Sequence, residues 1–166
     1  MIILSLGGTF MLKVRIANDG DKEYFIKDYL ARYGNDTELA EKHALVCINV
    51  HRTILLVNDE EIIGSVTWAI REGVKAGLVV IFQMSIAKEV NRGKGYGSTL
   101  VKHCINDIET FYGFKGHDLR RIFIVIHEEN LAARNIYKNN GFRVVSELKD
   151  HLGKGMKALV YAKDYF

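Results

Sequence analysis

The chain has 166 residues, 48% hydrophobic and 26% charged, which is the composition of a globular protein able to bury a core of its own. Its 23 basic and 20 acidic residues give a net charge of +3, and no basic run is interleaved with aromatics, which argues against a nucleic-acid partner. No apolar run approaches the roughly 20 residues of a membrane-spanning helix, so no membrane partner is predicted.

The start of the chain and its cysteines bear on where the protein works. Met1–Leu6 is apolar but lacks the basic start and small-residue cleavage site of a signal peptide. Gly7-Gly8 can be encoded by a ribosome-binding sequence just upstream of the Met11 codon, so we expect translation to begin at Met11. Cys47 and Cys104 fall in predicted amphipathic helices, which favours buried free thiols over a disulfide and a cytoplasmic location.

The first predicted elements are a strand and two helices. Polar and apolar residues alternate over Lys13–Ile16, which predicts a strand. Asn18 or Asp19 is expected to cap the first helix, and Gly34 to end it, because glycine tolerates left-handed dihedrals. Asn35 has a glutamate three residues later, and this spacing predicts a capping box at the start of a second helix.

The rest of the chain alternates strands with helices. In order, the predicted elements are strands 54–57, 62–70 and 78–87, a helix over 99–108, a strand over 121–126, a helix from Asn130 to Gly141, and strands 144–145 and 158–161. We expect Trp68 and Phe82 in the core and Glu147–His151 as a solvated turn. With no repeat or linker, the order predicts one mixed α/β domain over residues 1–166, with six to seven strands and about four helices.

A glycine-rich loop, Arg92-Gly93-Lys94-Gly95-Tyr96-Gly97-Ser98, lies between a predicted strand and a predicted helix. The start of a helix presents backbone N–H groups and the positive end of its dipole, and glycine lets the chain approach a phosphate closely. Arg92 and Lys94 add two positive charges at the same place. The loop therefore predicts a phosphate-bearing ligand. The alternative is a plain turn that caps a helix, which does not need alternating glycines.

The glycine spacing separates this loop from two common phosphate loops. It lacks the wider gap of the dinucleotide fingerprint, and no Gly-Lys-Ser/Thr follows four variable residues as in nucleotide hydrolases. The spacing Arg92-x-x-Gly95-x-Gly97 instead resembles the acyl-CoA pyrophosphate loop of the GNAT superfamily of N-acetyltransferases.

A second motif downstream strengthens this resemblance. Asn130-x-x-Ala133-x-x-x-Tyr137-x-x-x-Gly141-Phe142 is similar to the strand-five and helix-four signature of the same superfamily. Two motifs in the expected order are more specific than either alone. With the element order, the resemblance covers nearly the whole chain from Met11.

The resemblance implies a V-shaped sheet with acetyl-CoA in its cleft and no metal. It places the pyrophosphate on the backbone N–H groups of Gly93, Lys94, Gly95, Tyr96, Gly97 and Ser98, and pairs pantetheine with the backbone of Ser85, Ile86 and Ala87. It also implies that Asn130, which caps its helix in any case, contacts the cofactor.

For catalysis, the resemblance implies that Tyr137 is a general acid that protonates the departing CoA thiolate. The alternative is a tyrosine that only packs on the apolar face of its helix. Some relatives carry a glutamate base where this chain has Val125, so that assignment does not transfer. His127 ends the same strand and is a candidate base, since histidine titrates near neutral pH, with a structural histidine as the alternative.

Histidines also recur near Cys47, at His43 and His51, each four positions from the cysteine. Three ligands along one straight helix cannot close a tetrahedral metal site, so we expect no metal here and a core position for Cys47. The resemblance places the first two helices on the side of the acceptor cleft, so we expect the two histidines beside the acceptor.

The sequence therefore predicts an N-acetyltransferase that moves an acetyl group from acetyl-CoA to a primary amine by direct attack in a ternary complex. Its acceptor is a protein N-terminus or lysine, a polyamine or a small molecule, and a homodimer is left open. Two alternatives remain at this point. One is a non-catalytic acyl-CoA sensor or scaffold of the same fold, and the other is a module that binds nucleotide phosphate.

Overall fold

The computed structural model describes residues 2–5, 11–87, 91–151 and 153–166. Its strands are β1 Ile2–Ser5, β2 Met11–Ile16, β3 Arg52–Asn58, β4 Glu61–Arg71, β5 Leu78–Ile86, β6 Arg121–His127, β7 Arg143–Leu148 and β8 Ala158–Asp164. Its α-helices are α1 Lys22–Tyr33, α2 Thr37–Leu45, α3 Tyr96–Lys115 and α4 Leu131–Asn139. No helix in these described ranges is long and apolar enough to cross a membrane.

The strands follow one another along a mixed sheet in the order β1-β2-β3-β4-β5-β6-β8-β7. From Met11 onward the described residues form seven strands and four α-helices, which confirms the predicted fold class. The eighth strand, β1, precedes the predicted start at Met11 and pairs antiparallel with β2. Contacts divide the chain into two compact units, Met1–Thr67 with Met84–Tyr96, and Trp68–Gln83 with Gly97–Phe166.

The core of the first unit lies where α1 and α2 cover the β2–β3 strand pair. Phe25 of α1 is fully buried, and it packs with Ala44, Leu55 and Val57. Cys47 belongs to the same core and is a buried free thiol, as predicted. It lies in a π-helical segment, Val46–Val50, that continues from α2.

The caps of the first two helices differ from the predictions in one place. Asn18 forms a capping box with Asp21 on a short 3-10 turn that leads into α1, and Gly34 ends α1 with a φ of 105°. The cap of α2 is Asp36, whose carboxylate accepts from Leu39 N–H at 2.9 Å, so the prediction of Asn35 was wrong. Both residue types cap equally well, and the backbone path decides between them.

The β3–β4 hairpin turns through Asp59 and Glu60, which both have positive φ, 44° and 73°. Such dihedrals are those of a two-residue turn whose twist matches the flanking strands. The predicted connection, Asn58–Glu61, is therefore shorter in the structure, because both strands extend up to the two turn residues.

In the second unit, β6 pairs parallel with β5 and antiparallel with β8, and β7 closes the edge beside β8. Helix α3 buries Leu100, Cys104, Ile108 and Tyr112 on one face, as its spacing predicts. Trp68 is 2% exposed and its indole N–H donates to Asp107 at 2.9 Å.

Two expectations about the second unit were wrong. Phe82 is 47% exposed, because strand alternation places it on the face opposite the buried Val79 and Ile81. The run Glu147–His151 is not all turn, since β7 continues through Leu148 and the turn begins only at Lys149.

Candidate functional site

A side-chain hydrogen bond connects the start of the glycine loop to the end of the preceding strand. The side-chain amide of Asn91 donates to the carbonyl of Ala87 at 2.9 Å, just beyond the end of β5. Gly93 and Gly95 then adopt φ of 75° and 80°, in the left-handed region that glycine enters without strain. Helix α3 begins at Tyr96, directly after the second of these glycines. The predicted strand, loop and helix are therefore consecutive in the structure.

The side of these two glycines where a side chain would stand is open. A Cβ added at Gly93 or at Gly95 would meet no atom within 4 Å, whereas one added at Gly77 would come 2.5 Å from the Asp118 carbonyl. Glycine at 77 is thus required by packing inside the protein, and the two loop glycines are required by their dihedrals alone. They leave backbone exposed to a ligand, and the side chains of Arg92 and Lys94 beside them are exposed as well.

The three residues predicted to align pantetheine lie at the end of β5. All three are half-buried: Ser85, Ile86 and Ala87. The Ala87 N–H donates to the carbonyl of Ile63 at 2.9 Å, so it is already engaged within the protein. The Ser85 hydroxyl donates to one oxygen of Asp28 at 2.9 Å. Asp28 thereby links α1 to the strand end.

A pocket of about 580 Å³ opens beside this strand end, within the first unit. It is lined by Glu23, Tyr24, Lys27, Asp28 and Ala31 of α1, by Glu60, Glu61 and Ile62 of the hairpin, and by Ala87. Its volume lies in the range of small-molecule sites in proteins. Asp28 is the most buried carboxylate of the wall, with a side chain that is 14% exposed, and its second oxygen binds Arg32 at 2.5 Å. Glu23 is instead exposed and paired with Lys27 at 2.8 Å.

Tyr24 stands next to Asp28 in this wall. Its hydroxyl donates to the buried Ser65 at 3.2 Å and interacts with Ser85. Burial raises the pKa of the Tyr24 hydroxyl above its ordinary value, and the nearby Asp28 charge raises it further. The phenol therefore stays protonated at neutral pH.

The sequence reasoning missed Tyr24 and Asp28. The available signal was the spacing of Tyr24, Asp28 and Arg32, which recur every four residues and so share one face of α1. That spacing indicates an ion pair on a helix. The hydrogen bond between Asp28 and Ser85 could not be predicted from the sequence, since these two residues are 57 positions apart in the chain.

In the second unit, Tyr137 lies on α4 and is 1% exposed. Its hydroxyl is buried and has no hydrogen-bond partner in the described part of the chain. Burial raises the pKa of Tyr137, and the nearby Cys104 raises it further, so the phenol is neutral and keeps its proton to donate. Its ring packs edge-on against Phe142, with centroids 5.2 Å apart. Asn130 caps α4 as predicted, with its side-chain oxygen accepting from Ala133 N–H at 3.1 Å.

His127 ends β6, and its carbonyl accepts from Asn130 N–H at 3.0 Å. Its Nδ1 accepts from the Glu129 N–H at 3.3 Å, which places the ring proton of a neutral imidazole on Nε2. Nε2 is buried, and none of the residues that the structure describes hydrogen-bonds to it. The ring lines a pocket of about 120 Å³ together with Glu128 and Lys157. As a base, this histidine would first have to give up its contact with Glu129.

The histidines near Cys47 form no metal site. The Cys47 sulfur lies 3.4 Å from Nε2 of His43, and burial raises the pKa of the thiol to about 11, which keeps it neutral. No cluster of three metal-binding side chains occurs within residues 2–5, 11–87, 91–151 and 153–166. Neither His43 nor His51 lines the pocket beside Asp28.

Residues 17–142 match the model of the acetyltransferase (GNAT) family. A GCN5-related N-acetyltransferase from Kribbella flavida is similar in structure, with 22% identity over 93% of this chain and 98% of that one and a TM-score of 0.74. The ribosomal-protein-S18-alanine N-acetyltransferase of Escherichia coli has 14% identity, coverage of 93% and 94%, and a TM-score of 0.71. Arabidopsis thaliana NAA60 in complex with acetyl-CoA has 18% identity, coverage of 92% and 98%, and a TM-score of 0.70. No curated protein matches the sequence.

Proposed function

Because the chain belongs to the acetyltransferase (GNAT) family, we propose that it transfers an acetyl group from acetyl-CoA to a primary amine by direct attack in a ternary complex. The observation that supports this most is the loop from Asn91 to Gly95, whose two left-handed glycines open onto free space at the start of α3. A diphosphate fits such a place, since it accepts several N–H hydrogen bonds and its charge is favoured by the helix dipole. Arg92 and Lys94 add charge to the same anion site.

The chemistry needs a proton at the leaving group. When the amine nitrogen attacks the thioester carbonyl, the C–S bond breaks and CoA departs as a thiolate, which a positioned phenol can protonate. The buried hydroxyl of Tyr137 fits this role, because it is neutral and has no acceptor in the described part of the protein. A thiolate would supply that acceptor. We assign Tyr137 as the general acid.

The attacking nitrogen must also lose a proton. His127 is the proposed base, and it can accept a proton on Nε2 only after its ring proton shifts to Nδ1 and the contact with Glu129 is released. If His127 is the base, His127→Gln should lower kcat for acetyl transfer with little change in acetyl-CoA affinity. If the proton is instead lost to water, the variant should keep the wild-type kcat.

We place the acceptor in the pocket beside Asp28 and Ala87. The pocket reaches the end of β5, where the thioester is proposed to lie along Ser85, Ile86 and Ala87. A bound amine in this pocket is therefore close to the carbon it attacks, which is how enzymes gain most from proximity.

Two measurements test the proposal together. Thermal unfolding is followed with acetyl-CoA, CoA or ATP, and thiol release from acetyl-CoA is followed over a panel of primary amines. We expect protection by acetyl-CoA and CoA but not by ATP, and thiol release with at least one amine. Protection by acetyl-CoA without release on any amine indicates a non-catalytic binder, and protection by ATP alone indicates a nucleotide-phosphate module.

A further inference from the structure

Two side chains of the pocket wall beside α1, Tyr24 and Asp28, carry oxygen atoms that can accept hydrogen bonds, and Ser85 contacts Asp28 from outside the wall. A carboxylate can only accept, so the hydrogen of the Ser85 hydroxyl must point to Asp28, 2.9 Å away. The Tyr24 hydroxyl gives its hydrogen to Ser65 at 3.2 Å. The Tyr24 hydroxyl and the Asp28 carboxylate therefore have lone pairs at the pocket wall and no hydrogen to give to a ligand, while Ser85 orients the carboxylate.

From this geometry we propose, on the basis of the function proposed above, that Tyr24 and Asp28, with Ser85 holding Asp28 in position, bind the amino group of the acceptor and select protonated alkylamines. An alkylammonium group carries N–H donors and one positive charge, which match the hydroxyl oxygen of Tyr24 and the carboxylate of Asp28. A neutral aromatic amine brings fewer donors and no charge. A ligand group that only accepts hydrogen bonds finds no donor in the Tyr24 hydroxyl, whose hydrogen goes to Ser65, or in the Asp28 carboxylate.

The position of this subsite fits a role in binding and orientation. Ser85 belongs to the strand end on which the thioester is proposed to lie, and Asp28 anchors its side chain from α1. Arg32 neutralises part of the charge of Asp28 from outside the pocket wall. The amino group is thus held beside the thioester by a moderate interaction and can leave this subsite as it reacts.

The expected loss of affinity for the ammonium group follows from the same contacts. A hydrogen bond to a charged group is worth about 10- to 100-fold in affinity, and the compensation by Arg32 puts the expected effect near the lower end, at about tenfold. Asp28→Asn removes the charge but keeps an oxygen that accepts from Ser85 or Arg32, so the variant is expected to fold. Ser85→Ala removes the hydroxyl that donates to Asp28 and leaves the Asp28–Arg32 pair in place, so it is expected to weaken binding less.

The matched control is Glu38→Gln. Glu38 forms an i,i+4 ion pair with Lys42 at 2.5 Å, as Asp28 does with Arg32, but it lies on α2 and does not line the pocket. Glu38→Gln removes one negative charge from an exposed pair, whereas the Asp28 carboxylate is largely buried. A general effect of net charge therefore appears in this control as well.

The experiment uses n-butylamine, which is protonated at pH 7, and aniline, which is neutral. Binding of each to the full chain without acetyl-CoA is titrated by saturation-transfer NMR, and kcat and KM are then measured for both with acetyl-CoA. We expect wild type and Glu38→Gln to prefer butylammonium. Asp28→Asn should bind it about tenfold more weakly, with KM rising more than kcat falls, and should lose most of the preference over aniline.

The experiment distinguishes a failure of the proposed amine subsite from a failure of the proposed acetyl transfer. If wild type does not bind butylammonium, or if Asp28→Asn keeps its affinity and its preference, the amine subsite is wrong even when acetyl transfer is observed. If Asp28→Asn loses binding while wild type acetylates neither amine nor any other amine of the panel, the subsite stands and the proposed function is wrong.

Discussion

A tyrosine hydroxyl that is buried without a partner lowers stability, by about 1–3 kcal/mol for a typical polar group. Tyr137 carries such a hydroxyl on α4, and Tyr112 carries another on α3, each in a side chain that is 1% exposed. The two hydroxyls are alike in burial and in lacking a partner among the described residues. Only that of Tyr137 has an assigned chemical role, so the pair allows catalysis to be separated from packing.

We expect Tyr137→Phe to lower turnover by about 10- to 1000-fold with little change in acetyl-CoA affinity, because the departing thiolate loses its proton donor. The same variant should melt at the wild-type temperature or higher, since it removes an unsatisfied polar atom from the interior. Steady-state kinetics, calorimetric titration with acetyl-CoA and thermal unfolding measure the three quantities.

Tyr112→Phe is the control for this change. It should be equally neutral or favourable for stability and should leave turnover at the wild-type level. Wild-type turnover in Tyr137→Phe removes this residue from the mechanism, and an equal loss in both variants attributes the effect to packing.

At the residue scale, the sequence indicated the roles of residues that belong to short motifs. Gly93, Gly95 and Asn130 adopt the conformations or contacts that their residue types favour, and these depend on local backbone alone. The contact between Asp28 and Ser85 was not predictable, because it depends on how a helix packs against a strand 57 positions away. The exposure of Phe82 depends in the same way on which face of the strand is covered.

At the scale of elements, the helix boundaries are decided by caps, and α2 offers a direct test. Asp36 accepts from Leu39 N–H at 2.9 Å, whereas its neighbour Asn35 was the predicted cap. We expect Asp36→Ala to lower the free energy of unfolding by about 1 kcal/mol, the usual loss for a capping side chain. Asn35→Ala should change it by less than about 0.5 kcal/mol, as for other surface substitutions.

Urea denaturation of the two variants measures both values. Equal losses, or a larger loss for Asn35→Ala, contradict the cap that the structure describes. The sequence could not choose between these residues, because aspartate and asparagine cap with similar strength and stand side by side. It did indicate the existence and type of all four helices, since each has apolar residues at helical spacing.

At the scale of the whole molecule, two aspartates with lowered pKa values, one in each unit, couple stability to pH. Burial opposes ionisation of Asp21, but hydrogen bonds from Arg15 and from Asn18 N–H, with the charge of Arg15, bring its pKa below the ordinary value. A hydrogen bond from Arg121 lowers the pKa of Asp164, which also binds Arg143. Such a carboxylate stabilises the fold above its unfolded pKa and loses that contribution as pH falls through its folded pKa.

The free energy of unfolding should therefore decrease as pH falls below about 4, where unfolded aspartates begin to take up protons. Asp21→Asn combined with Asp164→Asn should lower the free energy of unfolding at neutral pH. The double variant should also show a shallower decrease of this free energy below about pH 4. Urea denaturation at a series of pH values measures the slope. The control is Asp19→Asn, at an exposed position beside Asp21, which should keep the pH dependence of the wild type. The account is contradicted if the double variant also keeps the pH dependence of the wild type.

The central claim is that a CoA diphosphate binds against the loop backbone at Gly93 and Gly95. Gly95 and Gly116 both have positive φ, 80° and 65°, and a Cβ added at either would meet no protein atom within 4 Å. Valine therefore strains the backbone similarly at both sites, and only at Gly95 does it obstruct the proposed ligand. Calorimetric titration of Gly95→Val and Gly116→Val with acetyl-CoA tests the claim most directly. We predict that Gly95→Val loses measurable binding while Gly116→Val keeps the wild-type Kd, and wild-type affinity in folded Gly95→Val would contradict the claim.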